Sequence, residues 1–401
     1  MIPDLRTRFL EWFDAERYQA LVRAINDDLH NSLIFRLCET PIFIPDDLAR
    51  RLVAAAHDVI TVIRQPGFRE SSRGAIPPGL AVANETDHTH FLQVDFAICR
   101  NADGSLTPQL IELQGFPSLY CFQHYLDGKM RDYYPIPDGM TPFFSGLDAD
   151  RYLDLLGRVL VGDGDPEQTV ILEYQPYTQK TRIDFYLAER YFGVKSVCVT
   201  EVIQRGKRLF YRDGGREVPI ARFYHRFIFD ELIRKGVTPS FDLRDEDVQV
   251  EWVGHPNWFF QISKHTMPLL DSPYAPDCHY LHELDRFPDD LENYVLKPLY
   301  SFAGTGVEVD VTREMLERLE DRSHYLLQRK IAYEPVIRTL DEDAKIEVRM
   351  MFLWPDGGNP TLVNNLIRFS KGKMMGVDFN AQKTWVGSNI GFHGLSADAA
   401  T

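Results

Sequence analysis

Apolar residues recur at helical spacing near the start of the chain. Leu5, Phe9, Phe13, Leu21 and Ile25 share one face if residues 4 to 30 form an amphipathic helix. A second helix is predicted after Pro45, capped by Asp46 or Asp47 and running to about Val62. The period then changes. Val94, Phe96 and Ile98 alternate with polar positions, as do Ile111 and Leu113. This predicts strands over 94–99 and 109–113, joined at Asn101-Ala102-Asp103-Gly104. From about residue 150 a strand over 169–173, a helix over 181–191 and a strand over 195–200 follow one another. That rhythm implies a small α/β unit with a parallel sheet. Residues 209–224 read as a hairpin turning at Asp213-Gly214-Gly215, and 236–250 as a polar connector. The last third predicts strands over 294–298, 307–311, 325–331 and 345–354, with Thr312 capping a helix over 313–320. The short polar tail after His393 is expected to fray.

Composition narrows the setting. A chain of 401 residues suggests two or three domains. No apolar run approaches the roughly 20 residues of a membrane span, and the first ten residues lack the order of a secretory signal. The five cysteines (38, 99, 121, 198 and 278) are odd in number and form no close pair. They argue for a reducing, cytoplasmic setting and against a disulfide framework or zinc cluster. A formal charge of -15 argues against a nucleic-acid partner. It still permits a nucleotide gripped by a few lysines, backbone amides and a bound cation.

The predicted hairpin carries the first chemistry. A two-residue turn on Asp103-Gly104 sets Asp95 directly opposite Glu112 and Gln93 opposite Gln114. Like charges so placed are destabilising. A hard cation with oxygen ligands, such as Mg²⁺ carrying nucleotide phosphates, would relieve them; the alternative is two solvated acids on an exposed face. Gly115 and Pro117 end the second strand in a shaped loop. Further on, Lys297 closes a strand and leads into Leu299-Tyr300-Ser301-Phe302-Ala303-Gly304-Thr305-Gly306-Val307. Such a loop can fold amides over phosphates, although it is not a Walker loop. Lys264 begins a helical stretch, and 326–331 with Glu334 could offer backbone groups to a purine and a carboxylate to a ribose. His88 and His90 share a strand face but lack a third nitrogen or sulfur ligand nearby, and His255 lies in a turn.

Together these pieces resemble the ATP-grasp superfamily, and within it the circularly permuted branch typified by eukaryotic glutathione synthetase and glutathionylspermidine synthetase. In that branch the acidic metal motif precedes the two lysines, as Asp95 and Glu112-Leu113-Gln114 precede Lys264 and Lys297 here. The resemblance implies a circularly permuted α/β (α+β) ATP-grasp fold with an inserted small α/β substrate domain. Its parts would be 1–150, with the metal-binding half of the core; 151–255, the substrate domain; 256–335, the nucleotide lobe; and 336–401, the rest of the core. It further implies Asp95, Glu112 and Gln114 as metal ligands. Lys264 and Lys297 would bind phosphate beneath a loop containing Ser301, Gly304, Thr305 and Gly306. Gln328 to Ile331, with Lys330, would form the adenine hinge, with Glu334 at the ribose. Arg226 and Arg368 would meet substrate carboxylates, and Arg182 is a weaker candidate.

The pattern departs from the family at three places. Gln114 replaces the usual Asn, and Gln93 stands where an arginine often steadies the acyl phosphate. Arg349 is the proposed substitute. The phosphate loop is also poor in glycine. The activity implied is ATP- and Mg²⁺-dependent joining of a small-molecule or peptide carboxylate to an amine, through an acyl phosphate, releasing ADP and phosphate. A homodimer is an open option. Phosphotransfer to a hydroxyl or phosphate group on the same fold, or a non-catalytic ATP-binding regulator, are the alternatives.

Overall fold

The computed structural model describes residues 1–300, 306–373, 375 and 380–395. At its centre lies a five-stranded antiparallel sheet in the order Gly387–Asn389, Thr361–Ser370, Lys345–Leu353, Phe91–Arg100, Leu106–Gln114. Alternation dictates its faces. Val94, Phe96, Ile98, Ile346, Val348, Met350, Ile367 and Phe369 pack against Leu48, Leu52, Ala56 and Val59 of helix Asp46–Val59. On the opposite face, Phe91, Met351 and Leu353 sit under helices Tyr120–Tyr133 and Ala149–Leu160. Further along the same face the residues become Gln93, Asp95, Glu347 and Arg349. One sheet face is therefore apolar at one end and polar at the other.

The hairpin reaches the predicted pairing by another route. Its turn is five residues long, with Arg100 paired to Leu106. A bulge between Asp95 and Phe96 on the register then shifts the ladder by one residue at Ile111. Without that extra residue Ile111 would face Asp95; with it, Asp95 faces Glu112 and Gln93 faces Gln114.

A parallel sheet of four strands runs Glu251–Val253, Arg222–His225, Thr169–Glu173, Lys195–Cys198. All five residues of Thr169–Glu173 are buried, as expected for a strand covered on both faces. The predicted hairpin over 209–224 is thus half right. Arg208–Asp213 and Arg216–Ile220 pair around Gly214 and Gly215, both at positive φ. Arg222–His225 leaves them for the parallel sheet, where Phe223 and Tyr224 are fully covered. Helix Arg182–Phe192 links Thr169–Glu173 to Lys195–Cys198, and its buried Asp184 caps helix Tyr120–Tyr133 by accepting the Phe122 N–H at 2.8 Å.

Four other expectations are corrected. Residues 4–30 form two helices, Pro3–Trp12 and Ala15–Asp28, because extended Asp14 caps the second by accepting the Glu16 N–H at 2.8 Å. The helix after Pro45 ends at Val59, with Asp46 and Asp47 in its first turn rather than at its cap. Residues 307–311 form no strand, and only Glu308 bridges to Leu296. Thr312 does cap its helix, accepting from the Met315 N–H, but that helix stops at Glu317. Strand Tyr294–Pro298 pairs with Tyr325–Arg329, which also pairs with Cys278–Tyr280. All five cysteines are buried and unpaired. Among the described residues no helix is long and apolar enough to cross a membrane.

Candidate functional site

The polar end of the central sheet gathers charge by register. Arg349 lies opposite Asp95, and Glu347 lies opposite Arg368. Asp95, 1% exposed, takes Arg349 in bidentate fashion: Nε donates to Oδ1 at 2.6 Å and Nη2 to Oδ2 at 2.7 Å. Arg368 Nη2 donates to the same Oδ2 at 2.5 Å. Burial alone would raise the Asp95 pKa, but the two guanidinium groups outweigh it and hold the carboxyl below its ordinary range. The Arg368 guanidinium also lies 2.6 Å from Glu347 Oε2, and the Tyr333 hydroxyl donates to Glu347 Oε1. Burial pushes the Glu347 pKa up against the pull of Arg368.

The lysines arrive from elsewhere in the chain. Lys297, at the end of strand Tyr294–Pro298, donates to Gln328 Oε1 at 2.9 Å and to the carbonyl of Ile111 at 3.4 Å. Lys264 opens the short 3₁₀ helix Lys264–Leu269, which packs on strand Leu106–Gln114. Burial lowers both lysine pKa values, and Glu112 opposes the shift in each case. Lys297 in turn lowers Lys264, so the two lysines and Glu112 share one neighbourhood. Half-buried Glu112 accepts the Gln114 amide N–H at 2.6 Å. Four cations (Arg349, Arg368, Lys264, Lys297) thus converge with three carboxylates (Asp95, Glu112, Glu347), in a chain whose net charge is -15.

Two buried polar atoms on this face have no partner among the described residues, Gln93 Oε1 and Arg368 Nε; Glu347 Oε2 makes no aligned hydrogen bond but is ion-paired with Arg368 at 2.6 Å. Orphaned buried polar atoms are uncommon and call for an explanation such as a ligand. Among the described residues no cluster of three His, Cys, Asp or Glu is spaced to hold a metal ion.

Other predicted positions fall around or away from this face. Gln328 is buried against Lys297. Ile331 is half-buried, and exposed Lys330 ties its ammonium to the carbonyl of Glu292 at 2.6 Å. Glu334 pairs with Arg100 at 2.9 Å, and its N–H meets the carbonyl of Ile98 on the central sheet. Gly306 adopts a positive φ with Pro298 close by; Ser301, Gly304 and Thr305 lie outside the described residues. Arg226 is 3% exposed, between the rings of Phe116 and Phe185 at 5.1 and 5.2 Å. It donates to the Pro117 carbonyl and to Thr181 Oγ1, which pins the loop after Gln114 to the parallel sheet. Arg182 reaches the carbonyl of Asn31. His90 bonds Asp356 at 3.0 Å and accepts the Gly254 N–H, His88 stacks on Trp354, and His255 caps helix Pro256–Gln261. Each histidine thus has a packing or capping role.

Sequence reasoning misses Glu347 and Tyr333. Glu347 is findable: two residues before Arg349 on one strand, it has to share that face. Tyr333 lies in irregular chain, where no period points to it.

No family model and no curated protein matches the chain. Among solved structures it is similar to a glutathione synthetase-like effector from Globodera pallida, determined in its apo form. The TM-score is 0.58 at 12% identity, over 95% of this chain and 98% of that one. The likeness is one of fold and extends over nearly the whole molecule. The protein is a mixed α/β structure of several sheets, as the sequence pattern predicts.

Proposed function

We propose that the chain is an ATP-dependent carboxylate–amine ligase on a circularly permuted ATP-grasp fold. One observation carries the reading: Lys297 donates to the carbonyl of Ile111, next to Glu112, and the helix that Lys264 opens packs on the same strand, although both lysines come 150 residues or more after the hairpin acids. The fold likeness to a glutathione synthetase-like protein supports it.

The residues present fit part of the metal site that the family implies. Glu112 and the Gln114 amide carbonyl are half-buried oxygen donors side by side, the chemistry a hard cation takes. Asp95 has both oxygens committed to arginine. Magnesium held by Glu112 and Gln114 would supply charge neutralisation for the phosphates. Lys264 and Lys297 align the triphosphate as point charges. The substrate carboxylate oxygen attacks the γ-phosphorus, the bond to the β-phosphate oxygen breaks, and ADP leaves. The amine nitrogen then attacks the acyl carbon, the carbon–oxygen bond to phosphate breaks, and the proton lost from nitrogen leaves with the phosphate. Arg349 and Arg368 stabilise the oxyanions of both steps in a partly dry site.

The test is product release from ATP and Mg²⁺ with pools of acids and amines. ADP release that needs both an acid and an amine is expected. AMP with pyrophosphate, or ADP release that needs only a hydroxyl acceptor, would overturn the ligase.

A further inference from the structure

The sequence offers Asp95 as a ligand to a divalent cation, yet its surroundings are those of an anchor. Three charge-assisted hydrogen bonds end on its two oxygens, at 2.6, 2.7 and 2.5 Å. A cation bound there would find at most one of the carboxylate's about four lone-pair sites open, on a group that is 1% exposed. Magnesium also demands near-octahedral oxygen geometry at about 2.0–2.1 Å, which a buried carboxylate already accepting three arginine N–H bonds is poorly placed to complete. The arrangement is set by sheet register rather than by a loop, since Arg349 is the cross-strand partner of Asp95.

Asp95 fixes the arginines at defined edges. It takes the Nε–Nη2 edge of Arg349 and one terminal nitrogen of Arg368. A guanidinium has five N–H groups in a fixed fork, so further donors remain on each. One of them, Arg368 Nε, is buried without a partner among the described residues. Glu347 Oε2 lies 2.6 Å from Arg368 Nη2, a different nitrogen, so it does not satisfy Nε.

We propose that Asp95 is a positioning residue and not a metal ligand. It locks Arg349 and Arg368 into a two-arginine receptor for an oxyanion, a carboxyl or phosphoryl group, while the cation is held at Glu112 and Gln114 without it. This rests on the ligase reading of the same face.

The experiment separates cation from anion binding, without turnover. Mn²⁺ is titrated into the full chain with a non-hydrolysable ATP analogue and followed by water-proton relaxation. Inorganic phosphate and acetate are titrated by calorimetry. Asp95→Asn should keep Mn²⁺ affinity within about threefold of wild type, while Glu112→Gln loses about tenfold or more. Asp95→Asn should also lose about tenfold or more in affinity for whichever anion wild type binds, and the stronger of the two names the source. Mn²⁺ affinity falling as far in Asp95→Asn as in Glu112→Gln would overturn the proposal, as would wild type binding neither anion. If Asp95→Asn fails to fold, Arg349→Lys breaks the bidentate bond and leaves the acid. It should lose the anion with Mn²⁺ unchanged, and a gain in Mn²⁺ affinity, which would make Asp95 a ligand, would overturn the proposal. Wild type that binds an anion but no Mn²⁺–nucleotide sinks the ATP reading alone, and the anion measurements still decide the role of Asp95.

Discussion

Asp95 in the antiparallel sheet and Glu173 in the parallel sheet are carboxylates of nearly equal burial, 1% and 4% exposed. Their charges go opposite ways. Burial pushes the Glu173 pKa up to about 8, although Arg226 opposes the shift. The Arg226 guanidinium is committed to Pro117, Thr181 and two aromatic rings, and the bond Glu173 receives is from the backbone N–H of Tyr174 at 2.7 Å. Asp95 has a guanidinium directly across the ladder and a second beside it. The difference teaches that depth does not decide ionisation. A covered parallel strand of apolar neighbours leaves an acid little choice but to hold its proton. An antiparallel face can place an arginine at the facing register position.

The hardest blow to this contrast is Arg349→Ala. Removing one partner of a buried ion pair costs about 3–5 kcal/mol, read as a lower urea midpoint. A loss below about 1 kcal/mol would mean that the pair behaves as a surface contact.

Glu173 gives the next largest effect, through pH. Its folded pKa of about 8 exceeds an ordinary unfolded value near 4.5. Between those values the folded chain holds a proton that the unfolded chain has released, so stability falls as pH rises from about 4.5 to about 8. A tenfold difference in proton affinity between the two states is worth about 1.4 kcal/mol. Glu173→Gln should therefore flatten the slope by on the order of a few kcal/mol across that range. An unchanged slope would place Glu173 in water.

Lys297→Ala sharpens the comparison from the ligand side. It should weaken ATP binding by about ten- to a hundredfold in calorimetry, while an equal affinity would remove the antiparallel face from nucleotide binding. The smallest effect is expected at Arg182→Ala, whose side chain donates to the carbonyl of Asn31 at an exposed position. Stability should move within about 0.5 kcal/mol and KM not at all; a rise in KM would return Arg182 to the substrate site.

Much of this is legible in the chain because sheets have a period of two. Asp95, Glu112, Gln93 and Gln114 share one face as the alternation predicts; the pairing that a two-residue turn predicts is reached instead through a five-residue turn and the bulge at Ile111. The parallel sheet is visible in the run Thr169–Glu173. What stays hidden depends on contacts distant in sequence. No local pattern shows that Arg349 spans to Asp95, 254 residues earlier. Nor does one show that Arg226 is closed between Phe116 and Phe185. The break at Asp14 escapes notice because the apolar stripe continues through it, and a single capping side chain outweighs the period.

The extra residue in the outer strand has one more effect. Ile111 stands outside the regular ladder, and its carbonyl is where the Lys297 ammonium rests at 3.4 Å. That resting place is main chain, so no exchange of the side chain at 111 abolishes it. The lysine's berth is encoded in how many residues the strand spends between two pairings, and drift in residue identity leaves it standing where a change in spacing would erase it.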